Sequence, residues 1–160
     1  MTNYIPDREK IISVINKIKS ENKKVVFTNG CFDVLHAGHV DYLNKAKMLG
    51  DVLIVALNSD NSVRKIKGNK RPIVPLEQRA FIIANLKSVD FVTVFEEETP
   101  AKIISDLVPD FLVKGADWDV SKIVGRQVVE NNGGEIKTIE FVNNVSTTKI
   151  IEVIVQRFCK

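Results

Sequence analysis

Both histidines of the chain lie in one short segment whose residue types suit a bound phosphate. His36 and His39 are three residues apart, and Gly38 stands between them. The segment follows a β-rich stretch at residues 24–27 and precedes a helix-like stretch at residues 40–49. A glycine turn between a strand and a helix presents backbone N–H groups and the positive end of the helix to an anion. Two imidazoles add hydrogen bonds and, when protonated, positive charge, so the segment predicts a phosphate site.

The residues before the histidines complete the predicted turn. Gly30 permits a tight bend and a close approach of the backbone to an anion. Cys31 is expected to act through its backbone N–H group, and Phe32 is expected to anchor the turn in the core. Asp33 either orders this loop or contacts the substrate, and the sequence favours neither role.

A metal site is the alternative interpretation of the same segment. Asp33, His36 and His39 have the residue types of a two-histidine, one-carboxylate site. Phosphate is the better hypothesis, because it also explains the glycines of the turn. We expect Mg²⁺ to be carried mainly by nucleotide phosphates, as is common for this ion, and we predict no dedicated metal site in the protein.

A basic segment at residues 64–71 carries five positive charges and no acid. It is predicted to be a loop, and Lys67 is the favoured clamp for the β- and γ-phosphates, because a lysine follows a moving triphosphate as a point charge. Arg71 is a candidate for binding the substrate. A nucleic-acid patch is the alternative, but the chain is only 7% aromatic and shows no aromatic–basic interleaving.

The elements that must position these residues alternate between helix and strand. Helices are predicted at about residues 7–22, 39–49, 75–86, 120–131 and 147–158, with a further helix capped by Thr99 and starting at Pro100. Strands are predicted at residues 24–28, 51–57, 91–95, 111–113 and 135–141. This order predicts an α/β fold, a Rossmann-like five-stranded mainly parallel sheet with helices on both faces. We expect one domain over residues 1–160, with an N-terminal helical extension at residues 1–22.

Composition limits the class of protein and the cellular location that we expect. The net charge is only +3, and 44% of the residues are hydrophobic, which is ordinary for a globular protein. The N-terminus mixes charged with apolar residues, unlike a signal peptide, and no apolar stretch approaches the roughly 20 residues that span a membrane. Two distant cysteines do not suggest a disulfide framework. We expect a cytoplasmic protein without a membrane partner.

The candidate residues converge on one edge of the predicted sheet. Ligands of such sheets bind beyond the carboxyl ends of the strands. The histidine segment follows the first strand, Asn58 the second, Lys114 the fourth and Ser146 the fifth. Arg79, in an apolar helix, either reaches this edge to bind substrate or forms a structural salt bridge.

The pattern G-x-F-D-x-x-H-x-G-H at residues 30–39 resembles the signature of the HxGH nucleotidyltransferases, the cytidylyltransferase-like enzymes. The resemblance extends over about residues 10–158 and is strongest to the heptose 1-phosphate adenylyltransferase branch. That branch is similar in the runs at residues 58–60, 71–73, 113–115 and 146–148. The resemblance implies transfer of AMP from ATP to D-glycero-β-D-manno-heptose 1-phosphate, giving an ADP-heptose for bacterial surface polysaccharide.

The resemblance also implies roles for individual residues. His36 and His39 would donate to the α-phosphate and the leaving oxygen, with Lys67 as the third catalytic residue. The nucleotide side would comprise Asn29, Gly30, Cys31, Phe32, Gly38, Lys114, Gly115, Asp117, Ser146, Thr147 and Thr148. The substrate side would comprise Asp33, Asn58, Arg71 and Arg79. Trp118 is expected in the pocket, the core or an interface, and the expected partners are ATP, a sugar 1-phosphate and a second copy of the chain, without nucleic acid.

Two departures from the pattern leave the choice of nucleotide base open. Asn144 stands where many relatives carry a glycine, and Ala116 replaces a common second glycine after Lys114. The glycerol-3-phosphate cytidylyltransferase branch is the alternative, but it usually carries Arg-Thr-Glu-Gly where this chain has residues 141–144. A non-catalytic module that binds nucleotide or nucleic acid is a further alternative.

Overall fold

The computed structural model describes residues 3–116, 118–140 and 145–159, and its centre is a five-stranded sheet. The strands are β1 (Val25–Gly30), β2 (Val52–Asn58), β3 (Phe91–Phe95), β4 (Phe111–Gly115) and β5 (Glu135–Ile139). They lie in the order β3-β2-β1-β4-β5, and every strand pair is parallel. The predicted Rossmann-like architecture is confirmed.

Helices cover both faces of this sheet. They are α1 (Arg8–Ser20), α2 (Ala37–Lys47), α3 (Asp60–Lys67), α4 (Leu76–Ala84), α5 (Ala101–Leu107), α6 (Arg126–Asn131) and α7 (Thr147–Phe158). One core contains buried residues of α1, α5 and α6, and the other contains buried residues of α2 and α4. Among the described residues, no helix combines the length and the hydropathy needed to cross a membrane.

Strand β2 explains why the sheet is covered on both sides. All seven of its residues are buried, and successive side chains point to opposite faces of a strand. Val52 and Ile54 enter the core that contains α1, whereas Leu53 and Val55 enter the core that contains α2. Truncating such a buried residue, for example by Leu53→Ala, is expected to cost about 2–5 kcal/mol of unfolding free energy.

The N-terminal segment is part of both the sheet and the core. Tyr4 forms a parallel bridge with Val92 at the outer edge of β3, and the Ile5 N–H donates to the Val92 carbonyl at 2.8 Å. Helix α1 then places Ile11 and Ile15, both fully buried, against the sheet. The predicted helix at residues 7–22 therefore exists, slightly shorter, and its apolar face is a core face.

The main correction concerns the basic segment, whose first half is helical. The prediction of a loop was wrong for Arg64, Lys65 and Lys67, which form the last turn of α3. Ser59 caps this helix by accepting a hydrogen bond from Ser62 N, and Gly68 ends it with a φ of +89°. The three cations suit the negative end of the helix dipole.

Two further helices differ from the prediction. Thr99 does not cap α5, because the helix begins at Ala101 and Pro100 is its N-cap residue. The predicted helix at residues 120–131 is divided into a 3₁₀ turn, Val120–Lys122, and α6. Gly125 separates them with a φ of +87°, and a Cβ there would lie 2.6 Å from Cγ2 of Ile104.

Candidate functional site

A cavity of about 430 Å³ opens beyond the carboxyl ends of the central strands. Its lining includes nine residues that the sequence analysis selected: Asn29, Gly30, Cys31, Phe32, His39, Asn58, Lys67, Lys114 and Gly115. They come from four separate parts of the chain. The parallel sheet brings them together because the strands that precede them end at one edge.

The two histidines form a stacked pair at the start of α2. Their ring centroids are 3.8 Å apart with an interplanar angle of 19°, and Phe32 contacts the His39 ring at 5.1 Å between centroids. His36 is the N-cap residue of α2, so its ring lies at the positive end of that helix. A Cβ on Gly38 would lie 3.2 Å from His36 Nδ1, which explains the small residue there.

Burial keeps both imidazoles uncharged near neutral pH. Desolvation, followed by the charge of His36, lowers the pKa of His39 to about 4, and desolvation also lowers the pKa of His36. Nδ1 of each ring is buried and has no hydrogen-bond partner among the described residues. The positive charge considered in the sequence analysis is thus absent in this state, and a bound phosphate would favour it by raising both pKa values.

Asp33 orders a loop and does not reach the open cavity. Its buried carboxylate pairs with Arg71 Nε and accepts 2.8 Å hydrogen bonds from the backbone N–H groups of Ile73 and Val74. Of the two roles left open by the sequence, the structure favours ordering. The structure gives no support to the predicted substrate contact of Asp33, because both carboxylate oxygens are engaged within the protein.

The same contacts disfavour the metal alternative. Asp33 cannot join the histidines as a ligand while it holds Arg71 and two backbone N–H groups. Within residues 3–116, 118–140 and 145–159, no group of three or more His, Cys, Asp and Glu side chains is arranged to hold a metal ion.

Arg79 is a structural cation beneath the site. Its side chain is fully buried, and its guanidinium donates to the carbonyl oxygens of Cys31 at 2.6 Å, Asn58 at 2.9 Å and Val74 at 2.9 Å. It also forms a 2.7 Å ion pair with Asp60. Because the Arg79 side chain is fully buried and paired with Asp60, the structure favours the salt-bridge alternative and gives no support to the predicted substrate contact.

Lys114 places a buried amine at the cavity wall. The residue is only 8% exposed, its Nζ donates to Asn29 Oδ1, and the Trp118 ring centroid lies 5.8 Å away. Desolvation lowers the pKa of Lys114 to about 8, so the amine is mainly protonated at pH 7. Trp118 lines the cavity and is 52% exposed, which excludes the core location among the three considered for it.

Asn58 and Cys31 form the floor between β1 and β2. Asn58 is buried and donates to Ser62 Oγ at 3.0 Å, and the Cys31 thiol lies 4.0 Å from Asn58 Oδ1. Burial raises the pKa of Cys31, which keeps its thiol neutral. Lys67 is exposed at the C-terminal end of α3 and borders the same cavity.

The start of α7 lies beside the histidine segment. Thr147 Oγ1 donates to the Val34 carbonyl at 3.3 Å, and Ser146 caps the helix by accepting from Lys149 N at 3.2 Å. Thr148 is exposed in the first turn of α7. The predicted nucleotide-side residue Asp117 and the departure at Asn144 lie outside the described residues.

Sequence reasoning missed part of the cavity wall. The missed residues are Tyr42, Ile66, Glu98, Thr99, Pro100 and Val124. A usable signal existed for Glu98 and Thr99, which follow β3 at the same sheet edge as the other candidates. Tyr42 gave none, since its position in α2 is that of an ordinary core residue.

Comparison with known proteins gives one family for most of the chain. Residues 27–153 match the cytidylyltransferase-like family. The chain is 50% identical over 154 residues to the bifunctional protein HldE of Citrifermentans bemidjiense, a match that covers 96% of this chain and 32% of that protein. HldE of Pelobacter propionicus is 48% identical with the same coverage. The chain thus spans about a third of the length of these relatives.

Solved structures give a consistent result for the fold. A lipopolysaccharide core biosynthesis protein from Thermoplasma volcanium superposes with a TM-score of 0.62 at 28% identity, covering 77% of this chain and 99% of that one. A pantoate–β-alanine ligase from Francisella tularensis superposes with a TM-score of 0.65, covering 94% of this chain and 76% of that one. At 17% identity, the second match supports the fold alone.

Proposed function

The chain belongs to the cytidylyltransferase-like family of nucleotidyltransferases, and on that premise we propose that it transfers AMP from ATP to D-glycero-β-D-manno-heptose 1-phosphate. The products are pyrophosphate and an ADP-heptose, a precursor of bacterial surface polysaccharide such as the lipopolysaccharide core. The observation that carries the proposal is the stacked pair His36 and His39. His39 lines the cavity, and Thr147 of α7 contacts the same segment at the Val34 carbonyl. The identity to two HldE proteins supports the adenylyltransferase branch.

The proposed reaction needs alignment more than base catalysis. A phosphate oxygen of the sugar phosphate attacks the α-phosphorus of ATP, and the bond between that phosphorus and the bridging oxygen of pyrophosphate breaks. The nucleophile is already an anion, so the protein mainly orients the reactants and stabilises the charge that grows on the phosphate oxygens. Neutral His36 and His39 each supply one ring N–H for this purpose.

A helix N-terminus, a lysine and several residues around the cavity complete the proposed machinery. The N-terminus of α7, with Ser146, Thr147 and Thr148, is proposed to face the triphosphate. Lys67 is proposed to hold the β- and γ-phosphates from the end of α3. On the nucleotide side we also propose Asn29, Gly30, Cys31, Phe32, Gly38, Lys114, Gly115 and Asp117.

The substrate side of the proposal retains Asn58 and Arg71. Arg71 is tethered through Nε to Asp33, which leaves the two terminal nitrogens of its guanidinium to face a ligand. Asp33 and Arg79 act one layer below, where they hold the loop at residues 71–74 and the turn at Cys31. They are positioning residues in this proposal.

Mg²⁺ fits this site as an ion that arrives with the nucleotide. Besides the carboxylate of Glu98, the charged groups that line the cavity are the ammonium groups of Lys67 and Lys114, which suit phosphate oxygens and leave the ion to be held mainly by ATP. When bound in this way, Mg²⁺ neutralises charge on the triphosphate.

A second copy of the chain is the other proposed partner. Helix α7 has no buried residue, and Ile154, Val155 and Phe158 are 49%, 51% and 80% exposed. A twelve-residue helix is marginal in water unless an apolar face is packed. We propose that a second copy covers this face, giving a homodimer or larger assembly that acts in the cytoplasm.

Pyrophosphate release in the presence of Mg²⁺ tests the proposed reaction. ATP, CTP and GTP are each combined with heptose 1-phosphate and with glycerol 3-phosphate. We expect turnover with the pair ATP and heptose 1-phosphate and with no other pair. Turnover with CTP and glycerol 3-phosphate would overturn the proposal in favour of the cytidylyltransferase branch, and folded protein inactive with all pairs would overturn it in favour of a binding module.

A further inference from the structure

The wall of the cavity that follows β3 has no part in the proposed transfer reaction. Glu98, Thr99 and Pro100 form this wall, and both Glu98 and Thr99 have exposed side chains. Glu98 contributes the one carboxylate among the cavity-lining residues that the structure describes, where the other charged groups are the ammonium groups of Lys67 and Lys114.

That carboxylate is chemically unsuited to a triphosphate and well suited to hydroxyl groups. A carboxylate accepts hydrogen bonds and repels phosphate oxygens, whereas hydroxyl groups of a polyol donate to it. The same cavity is lined by the amide of Asn58, which the proposed function assigns to the acceptor, and by the hydroxyl of Thr99. A carboxylate, an amide and a hydroxyl together suit the hydroxyl groups of a sugar.

The start of α7, which is proposed to face the triphosphate, does not border the cavity that Glu98 lines. The cavity lining contains His39 but not His36, and it contains none of residues 145–148 at the start of α7. Glu98 therefore lines a cavity that His39 borders and that the start of α7 does not.

The wall is held in place from α1. Arg8 donates to both carboxylate oxygens of Glu97, at 3.0 and 3.1 Å, and to Asp106 of α5 at 3.1 Å. The Glu97 carbonyl in turn accepts from Ser62 Oγ at 2.8 Å, and Ser62 Oγ accepts from Asn58. Arg8 thus fixes the residue next to Glu98 and, through Ser62, the amide on the cavity floor.

We propose that Glu98 determines specificity by binding hydroxyl groups of the acceptor sugar, and that Arg8 positions it. The proposal rests on the proposed function for the reaction and adds the part of the site that reads the sugar. Arg8 lies outside the residues that match the family, at 27–153, so the sugar-reading wall depends on a part of the chain that the family pattern does not include.

Steady-state kinetics separates this role from a merely structural one. The Michaelis constants for heptose 1-phosphate and for ATP are measured for the wild type, Glu98→Gln, Arg8→Gln and Arg8→Lys. Glu98→Gln keeps the size of the side chain and is expected to raise the constant for the sugar phosphate about 10-fold or more, since hydrogen bonds to a charged group are the stronger ones. The constant for ATP is expected to stay within about 2-fold.

Arg8→Gln is expected to give a smaller rise of the same kind, and Arg8→Lys to restore part of it. Lys24→Gln is the matched control, because it removes the exposed pair with Asp110 at the opposite end of the sheet. It should change neither constant. An equal rise for ATP and sugar, or no rise in Glu98→Gln, would overturn the proposal.

Two further measurements distinguish an error in the proposed function from an error in the role of Glu98. If the wild type used glycerol 3-phosphate, the same comparison with that polyol phosphate would still decide the role of Glu98. If the wild type shows no turnover, calorimetry measures the binding of heptose 1-phosphate and of glycerol 3-phosphate in the absence of nucleotide. Equal affinity of the wild type and Glu98→Gln for the compound that binds, or no binding of either, would overturn the proposal.

Discussion

The guanidinium of Arg79 donates a 2.6 Å hydrogen bond to the carbonyl oxygen of Cys31. A buried side chain of α4 therefore holds the turn that leads to the histidines, 48 residues away in the sequence. The same guanidinium binds the end of β2 through the Asn58 carbonyl. The geometry of the site is thus set by a residue that no ligand can touch.

Replacing Arg79 is expected to destabilise the protein and to disturb the site. Arg79→Met leaves the Asp60 carboxylate without its cation and three carbonyl groups without the guanidinium donor, and we expect a loss of about 3–5 kcal/mol in unfolding free energy. Urea denaturation measures it. Arg64→Gln, which changes an exposed arginine of α3, should stay within about 0.5 kcal/mol of the wild type. A loss below about 1 kcal/mol in Arg79→Met would contradict the structural role.

Removing either imidazole is expected to lower kcat and to leave the affinity for the two substrates nearly unchanged. His36→Ala and His39→Ala each remove a donor to the charge that grows in the transition state, and we expect kcat to fall about 10²–10³-fold. Pyrophosphate release under saturating ATP and sugar phosphate gives the value. Cys31→Ala serves as the control within the same turn. The proposed part of Cys31 is its backbone N–H group, which the variant keeps, and its thiol is neutral, so the variant should retain nearly full activity. Losses below about 5-fold in both histidine variants would exclude this role.

Lys114 is expected to make stability rise with pH. Its pKa is about 8 in the folded protein, below the ordinary lysine value of 10.5, so between these two values the unfolded chain binds more protons. Unfolding free energy then increases with pH over that window, by at most about 3 kcal/mol. Urea denaturation at pH 7, 8, 9 and 10 should show this slope in the wild type relative to Lys114→Met. Parallel curves for the two proteins would refute the shift.

The exposed face of α7 is expected to determine the oligomeric state. Light scattering should give at least twice the 18.0 kDa chain mass for the wild type. Ile154→Glu places a charge on the apolar face and should yield a monomer. Gln156→Glu adds the same charge on the polar side of the helix and should leave the mass unchanged. A monomeric wild type, or an Ile154→Glu variant of unchanged mass, would refute the proposed contact.

Local sequence signals were sufficient for the sheet and for the histidine turn. Strands such as β2 are nearly continuous apolar runs, and the rule that ligands bind at the carboxyl ends of parallel strands placed Asn58 and Lys114 at one cavity. Helix α3 was missed because only Ser62 and Val63 of its eight residues are buried, so it lacks an apolar period.

The roles of Asp33 and Arg79 required the tertiary structure. Arg71 lies 38 residues after Asp33, and no local pattern shows that the two side chains form an ion pair. Asp60 and Arg79 are 19 residues apart, and the choice between a substrate contact and a salt bridge depended on burial. Both residues have types that suit phosphate or sugar binding, and only their burial and contacts identify them as supports.

The pairing of Tyr4 with Val92 determines at which end of the sheet the described N-terminal residues lie. Because the pairing is parallel, Asn3 lies at the end of the sheet where the strands begin. The cavity lies at the end where the strands finish. Immobilising the protein through its N-terminal side would therefore keep the surface far from the reactants in the binding experiments.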